Sequence, residues 1–242
     1  MKIQIFTCLT HNSTEFANFL KKNLEETSSK KNQITFFAIV DQNFVSKNSE
    51  WQIIDRVETP HGLFDGYGAK NHSIMLNKII NHIKDETDIV IICDCDVAVL
   101  QKNWDAVITS FHEKYDALIT PKFSGKSSVY FTSFKKDVYL KIKPDFTPGV
   151  EENNFKVKTI FEDTGYKIQE QLKDYKFIFY DLVGFNKTDP SKYKSHKDFH
   201  YLYKLNGKNF LTHFGGSHKK DFKSVGVENW VNNISLELNK NE

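Results

Sequence analysis

The stretch that decides the fold is DIVIICDCDVAVL, residues 88–100. It begins as an apolar run rich in β-branched residues, which predicts a strand buried on both faces. Two carboxylates, Asp94 and Asp96, follow where this strand should leave the sheet. On extended backbone, side chains two residues apart point the same way, and two like charges repel unless a cation lies between them. The pattern therefore predicts an oxygen site for Mg²⁺ or Mn²⁺ shared with substrate phosphates; a plain polar turn is the simpler alternative.

Length and composition narrow the class of protein. The chain has 242 residues, enough for one sizeable domain with a complete core. No apolar run approaches the roughly 20 residues that span a bilayer, and a net charge of +2 gives no case for a nucleic-acid partner. The three cysteines, Cys8, Cys93 and Cys95, do not suggest a disulfide framework, so we expect a reducing, cytoplasmic location. The only arginine is Arg56, so a bound phosphate would depend on metal, lysine or backbone N–H groups.

Predicted strands alternate with predicted helices along the chain. We predict strands at residues 2–8, 34–40, 53–57, in the run before Asp94, and at 116–121, 127–133, 177–183 and 210–213. We predict helices around 16–24 and 74–83, from 103 onward, and over 134–142, 161–173 and 221–238, with loops at 143–154 and 186–200. This alternation predicts an α/β fold with a mostly parallel central sheet and helices on both faces. Ligands of such sheets bind beyond the carboxyl ends of strands, so Thr7, Asp41 and Asp94 should line one crevice.

The order of these parts resembles a GT-A glycosyltransferase. The segments GAKN (68–71), DCD (94–96) and NW (103–104) are similar to a helix, the D-x-D strand and the following helix of glycosyltransferase family 2. FEDTG (161–165) resembles the acidic pair at a helix start in that family, and HFGGSHK (213–219) resembles the H-x-x-G-x-x-K element of glycosyltransferase family 8. The resemblance implies a single GT-A (Rossmann-like) domain over 1–242. Its nucleotide-sugar-binding half would be 1–100, and its acceptor-side half 101–242, with a C-terminal closing segment from His213 to Lys219 that donor would order.

The resemblance also implies roles for single residues. The metal ligands would be Asp94, Asp96 and His213. The residues that contact the donor would be Thr7, Asp41, Lys70, Asn71, Asp94, Gly216 and Lys219. The catalytic residues would be Asp163, as the general base, and its neighbour Glu162. Each has a simpler structural alternative. His213 would be a strand-end histidine with satisfied hydrogen bonds, Asp41 a polar strand end, and the two acids a helix start stabilised by the helix dipole.

The two parts of the resemblance point to different stereochemistry. The acidic pair suits family 2, whose members invert the anomeric centre, and the H-x-x-G-x-x-K element suits family 8, whose members retain it. The proline and tryptophan that usually follow the lysine in family 8 are replaced by Lys220 and Asp221. Retention and inversion therefore both stay open.

The predicted function is transfer of a sugar, as in hexosyltransferases, from a nucleotide-diphosphate sugar to a hydroxyl, with Mn²⁺ or Mg²⁺. The acceptor would be a glycan, a lipid-linked sugar or a small molecule. One alternative is a sugar-1-phosphate nucleotidyltransferase, although CLTHN (8–12) lacks the glycine-rich, basic loop typical of that chemistry. Another is a carbohydrate-binding or nucleotide-sugar-binding protein without turnover on the same fold.

Two further hypotheses concern single residue types. Cys93, Cys95 and a histidine would be a zinc site, although no second cysteine pair exists in the sequence. Tyr67, Trp104 and Tyr130 would stack on sugar rings beside the cleft, or belong to the core.

Overall fold

A computed structural model of the protein describes residues 1–10, 13–44, 48–59, 68–122, 124–153, 156–162, 164–185, 201–215 and 224–240. For 150–153, 156–162 and 184–185 it describes the backbone alone. The strands are β1 (Lys2–Leu9), β2 (Gln33–Asp41), β3 (Gln52–Val57), β4 (Ile89–Cys93), β5 (Val97–Val99), β6 (Ala117–Pro121), β7 (Ser127–Lys135), β8 (Gly149–Asn153), β9 (Lys156–Glu162), β10 (Phe177–Phe179), β11 (Asp181–Phe185), β12 (Tyr201–Leu205) and β13 (Lys208–His213). The helices are α1 (Thr14–Thr27), α2 (Gly68–Lys78), α3 (Trp104–His112), α4 (Lys136–Ile142), α5 (Ile168–Gln171) and α6 (Val225–Asn239), with a 3-10 turn over Ile79–His82.

The central sheet has seven strands in the order β10-β6-β7-β4-β1-β2-β3. β1 is parallel to β2 and β4, and β3 and β10 are parallel to their partners; β7 alone runs antiparallel, between β4 and β6. The predicted mostly parallel sheet is confirmed. Because β1, β2 and β4 run the same way, their ends at Leu9, Asp41 and Cys93 lie on one side of the sheet, which we call the carboxyl edge.

Alternation along the central strands directs side chains into two cores. On β1, Ile5 belongs to the cluster that includes α1, α3 and α6, whereas Phe6 belongs to the cluster that includes α2, α4 and α5. On β4, Ile91 and Ile92 divide in the same way. Since successive side chains of a strand point to opposite faces, helices cover both faces, as predicted. None of the described helices has the length and apolar character needed to cross a membrane.

A second, antiparallel sheet is connected to the first where the chain passes from β4 to β5. Its order is β11-β12-β13-β5, and β5 begins at Val97, one residue after Asp96. β13 pairs with β5 so that His213 lies opposite Val97. This pairing brings residues that are distant in sequence to the carboxyl edge of the central sheet.

Two predictions about the middle of the chain were wrong. The predicted loop 143–154 contains β8, which pairs with β9, and the predicted helix 161–173 is a strand end, a turn and a helix of only Ile168–Gln171. The β-branched residues Val157, Thr159 and Ile160 favour a strand just before the position where we expected the helix to begin. Gly165 then adopts a φ of +87°, a left-handed conformation that ends the strand segment in a turn.

A side chain completes the edge of β5 where no strand pairs with it. The amide nitrogen of Asn23, on α1, donates to the carbonyl of Val99 at 3.1 Å, and the N–H of Val99 donates to the Asn23 side-chain oxygen at 2.7 Å. Asn23 is buried. Its amide therefore replaces a neighbouring strand and fixes the segment that follows Asp96.

We expect Asn23→Ala to lower the free energy of unfolding by about 2–4 kcal/mol, because it leaves a buried N–H and a buried carbonyl of Val99 without their partner. Asn18→Ala is the matched control. Asn18 lies on the same helix and also makes two amide bonds, to the backbone of Asn48 and Glu50, but at the surface. Urea denaturation should show a loss below about 1 kcal/mol for Asn18→Ala; equal losses would contradict the strand-like role of Asn23.

A buried histidine ties α3 to the central sheet. His112 is almost fully buried; one ring nitrogen meets the hydroxyl of Ser133 at 2.9 Å and the other meets the carbonyl of Tyr115 at 3.3 Å. Burial, with a smaller contribution from the nearby Lys135, lowers the pKa of His112 to about 4, although the Tyr115 carbonyl and Asp116 act in the opposite direction. The folded protein therefore needs a neutral imidazole at this position.

Between pH 6.5 and pH 4 the unfolded chain should bind a proton at this histidine that the folded chain does not, so stability falls as the pH falls through that window. From pH 7 to pH 5 the loss due to His112 should be about 2 kcal/mol. Denaturation of wild type and His112→Gln at both pH values isolates this loss, since every other group is shared. A pH dependence that is unchanged by His112→Gln would show that His112 binds a proton equally well in the folded and the unfolded chain, which would contradict a lowered pKa.

Candidate functional site

The end of β4 fixes the first carboxylate of the site. All five residues of β4 are fully buried, and the N–H of Asp94 donates to the carbonyl of Tyr130, on β7, at 3.1 Å. Asp94 follows β4 directly, and Cys95 and Asp96 form a turn between β4 and β5. The sequence argument placed this D-x-D on extended backbone, and that is wrong: it lies in the turn that joins the two sheets. Asp94 remains partly exposed, whereas Asp96 is 3% exposed.

The second sheet brings His213 to these carboxylates. Its ring nitrogen Nε2 lies 3.1 Å from Oδ1 of Asp96 and 3.8 Å from Oδ2 of Asp94. The N–H of Phe214 donates to the backbone carbonyl of Asp96 at 2.8 Å. Phe214 in turn packs between Phe16 and Trp230, with ring centroids 5.7 and 5.5 Å away. The helices α1 and α6 thus hold the end of β13 against the turn that carries Asp96.

The three predicted metal ligands come together in the structure. Asp94, Asp96 and His213 each offer a donor atom, and these atoms all lie within 4.8 Å of one another. Ligands side by side on one Mn²⁺ or Mg²⁺ ion, with bonds of about 2.1 Å, lie about 3 Å apart. The 3.1 Å between His213 and Asp96 matches this spacing, and the 3.8 Å between His213 and Asp94 would shorten around a bound ion. Two carboxylates and one imidazole therefore fit a divalent cation at the carboxyl edge.

The alternative zinc site is not supported. Within the described ranges, no group of three potential ligands includes a cysteine, and all three cysteines are buried thiols outside any disulfide. Burial raises the pKa of the Cys93 thiol, and the charge of Asp94 raises it further. A thiol in this state stays protonated and is a poor metal ligand.

One residue near the site was missed by sequence reasoning. His72, in the first turns of α2, places Nε2 3.7 Å from Oδ1 of Asp94. Asp94 therefore lies between two imidazoles, with His72 at one oxygen and His213 at the other. Lys70 and Asn71, both predicted donor contacts, precede His72 on the same turn, Lys70 half-buried and Asn71 buried. The signal was present in the sequence, since His72 directly follows the GAKN segment.

The remaining predicted donor residues of the first half lie at or near the carboxyl edge. Thr7 is fully buried on β1, and its hydroxyl has no hydrogen-bond partner among the described residues. Asp41 is the last residue of β2. Its carboxylate accepts the N–H of Asn43 at 2.8 Å and the hydroxyl of Thr59. Asp41 thus shapes the turn after β2 with both oxygens, and its contact with a nucleotide stays a prediction.

The predicted residues of the second half are less completely placed. Glu162 ends β9 instead of starting a helix, and its side chain lies outside the described atoms, as do Asp163, Gly216 and Lys219 entirely. Residues 208–213 form β13 of the second sheet, with Phe210, Leu211 and Thr212 fully buried. Of the expected closing segment, the structure describes residues 213–215, and residues 216–219 lie outside the described residues.

The three aromatic residues that were candidates for stacking on sugar rings differ in their positions. Trp104 is fully buried and donates its indole N–H to the carbonyl of Leu24 at 2.9 Å, so it belongs to the core. Tyr67 lies outside the described residues. Tyr130 lies at the site, with its ring centroid 4.1 Å from that of His213.

Solved structures with a similar fold are glycosyltransferases or related proteins. The galactosyltransferase LgtC, solved in complex with donor and acceptor sugar analogs, matches with a TM-score of 0.54 at 13% identity, over 96% of this chain and 95% of its own. A putative nucleotide-diphospho-sugar transferase from Desulfovibrio desulfuricans G20 matches at 0.46 and 11% identity, over 99% and 97%. The mannosyltransferase PcManGT from Pyrobaculum calidifontis, in complex with GDP-Man and Mn²⁺, matches at 0.48 and 11% identity over 73% of this chain, which spans about half of its length, 54%.

The likeness to LgtC covers nearly the whole of both chains and shows that this protein has a GT-A-like fold. The fold class predicted from the order of strands and helices is thereby confirmed. No family model and no curated protein matches the sequence.

The two histidines beside Asp94 provide a matched test of the ligand set. We expect His213→Ala to weaken Mn²⁺ binding roughly 100-fold or more, since even the loss of an outer contact to a metal ligand costs 10–100-fold. His72→Ala should weaken binding less, by roughly 10-fold at most, because His72 approaches the ligand Asp94 only as an outer contact, 3.7 Å from its second oxygen. Titration of metal-free protein with Mn²⁺, followed by the electron paramagnetic resonance signal of the free ion, measures both. Equal losses would exclude this ligand set.

Proposed function

We propose that the protein is a metal-dependent glycosyltransferase that moves a sugar from a nucleotide-diphosphate sugar to an acceptor hydroxyl. One observation carries the proposal: Asp94, Asp96 and His213 converge within 4.8 Å at the carboxyl edge of a GT-A-like sheet. Ligands of open α/β sheets bind at this edge. The proposal adds to the fold a site whose donor atoms suit a divalent cation.

The chemistry of the donor set supports the choice of cation. Asp94, Asp96 and His213 would hold Mn²⁺ or Mg²⁺, and the imidazole favours Mn²⁺. A divalent cation supplies neutralisation of the charge that develops on a leaving diphosphate. Asp94 is the most exposed of the three, so a diphosphate would approach from its side of the centre.

The remaining donor contacts depend on which groups of the chain can bind a diphosphate. The single arginine, Arg56, donates to the backbone carbonyl of Phe44 at 2.9 Å. The diphosphate would therefore be bound by lysines and backbone groups: Lys70 and Asn71 at the start of α2, and Gly216 and Lys219 after β13. Thr7 and Asp41 would complete the site on the nucleotide side.

The acceptor side is proposed from sequence alone. Asp163, next to Glu162 at the end of β9, would act as the general base that removes a proton from an acceptor hydroxyl. This role requires inversion at the anomeric carbon, so a product with retained configuration would exclude it. The acceptor would be a glycan, a lipid-linked sugar or a small molecule, in a reducing, cytoplasmic compartment that suits the three free thiols.

Removal of the carboxylate charge tests the proposed function. We expect the Asp94→Asn/Asp96→Asn double variant to lose sugar transfer and to bind uridine and guanosine diphosphates without any effect of Mn²⁺, because the amides retain shape but not charge. Asp55→Asn is the control. Asp55 also pairs with a histidine, His82, at 3.0 Å, but on β3 and away from the centre. Calorimetry with and without Mn²⁺ gives the affinities, and release of nucleoside diphosphate gives the turnover.

Two outcomes would contradict the proposal in different ways. The same Mn²⁺-dependent affinity in wild type and in the double variant would exclude the metal site. Wild-type protein that binds nucleotide sugars with Mn²⁺, yet neither transfers nor hydrolyses any of them with a panel of acceptors, would favour the binding protein without turnover.

A further inference from the structure

Two tyrosine rings pack against the imidazole of His213. The ring centroid of Tyr130 lies 4.1 Å from that of His213 at an interplanar angle of 31°, and that of Tyr201 lies 5.2 Å away at 26°. The two tyrosine rings are themselves 5.8 Å apart. These are contact distances for aromatic pairs, so the imidazole cannot turn without displacing a tyrosine.

Tyr130 also contacts the other half of the candidate centre. Its backbone carbonyl accepts the N–H of Asp94 at 3.1 Å, while its side chain lies against His213. The two parts of the ligand set come from distant parts of the chain, since His213 and Asp96 are separated by 117 positions in the sequence. A single residue of β7 therefore touches both parts of the ligand set, one through its backbone and the other through its ring.

A ring contact at this place affects the affinity of the centre through its ligand. A ligating histidine needs a neighbour that fixes its ring, and changes at such neighbours typically cost 10–100-fold in metal affinity. An imidazole bound to a cation is also more positive than a free one, and positive groups are attracted to the face of a tyrosine. The ring contact is thus stronger in the bound state than in the free state, which raises affinity.

We propose that Tyr130, assisted by Tyr201, is a positioning residue that sets the affinity of the centre by holding His213. The inference rests on the proposed function, because it requires that His213 is a metal ligand. It adds a residue that lies outside the ligand set and acts through a ring contact. The aromatic strand β7 thereby takes part in the site as well as in the core.

The test measures Mn²⁺ binding to metal-free protein without donor or acceptor, by the resonance signal of free Mn²⁺. Tyr130→Leu removes the ring but leaves the backbone bond to Asp94, and should weaken binding roughly 10-fold. Tyr130→Phe retains the ring and should restore the affinity to within roughly twofold of wild type. In a His213→Ala background, Tyr130→Leu should have no further effect, which is the result expected of a residue that acts through His213.

Tyr115→Leu is the matched control. Tyr115 stacks on Phe111 with centroids 6.0 Å apart, at the end of α3, and its loss should leave Mn²⁺ affinity unchanged. Circular dichroism confirms that each variant is folded. If Tyr130→Leu does not fold, Tyr201→Leu replaces it in the same cycle, with a loss of roughly threefold expected from its more distant ring.

The outcomes separate this inference from the proposed function. Unchanged affinity in the leucine variant, or an equal loss in the His213→Ala background, would overturn the role of the ring while the metal site stands. Absence of Mn²⁺ binding in the wild-type protein would overturn the metal site and this inference together.

Discussion

The candidate site depends on the pairing of β13 with β5. Val97 lies opposite His213 in this pairing, and the N–H of Phe214 bonds the carbonyl of Asp96 directly beside it. Backbone hydrogen bonds thus set the approach of the imidazole to the carboxylate. The positions of the His213 and Asp96 side chains relative to each other thus follow from the pairing of the two strands. Because β5 continues the chain of β4 through residues 94–96, the same pairing also joins the second sheet to the first.

Two buried aspartates, Asp105 and Asp96, show how the environment of a charge within the core differs from that of a charge in the candidate site. Asp105 is fully buried, and it accepts hydrogen bonds from Ser29 and Asn32, which lower its pKa although burial alone would raise it. Asp96 is equally buried, but its carboxylate faces His213 and lies close to Asp94. Burying charge costs several kcal/mol unless it is compensated. At Asp105 the chain surrounds the carboxylate with hydrogen-bond donors; at Asp96 it places an imidazole and a second carboxylate, a set of donor atoms that suits a divalent cation.

The sequence predicted the parts of the site that local patterns encode. The β-branched run before Asp94 identified β4, and the polar residues that follow predicted strands placed Asp41 at the end of β2 and the D-x-D directly after β4. Contacts made by tertiary pairing were beyond such patterns. The orientation of α2, which brings His72 to Asp94, depends on packing against the sheet. The turn before β5 forms because β5 belongs to the second sheet. The sequence of residues 88–100 alone does not indicate that the chain changes sheets there.

The same distinction explains the errors between residues 143 and 173. A strand such as β9 is stabilised by its partner β8, and the sequence of either one alone favours a loop or a helix start about as well. The resemblance to an acidic helix start then outweighed the β-branched residues before it. Local propensity is a weak guide where a short strand gains most of its stability from its neighbour.

The three proposed metal ligands are held in place by the two sheets. Phe214, packed between Phe16 and Trp230, is the buried residue that directly follows β13. Gly215 follows with a φ of +73°, a conformation that lets the chain turn away from the sheet. All three proposed ligands lie on the buried side of this point. A site whose charged groups are fixed in advance requires little reorganisation during reaction. Donor-dependent closure of the segment from His213 to Lys219 would therefore involve its residues after Gly215, and would add contacts to a centre already assembled by the two sheets.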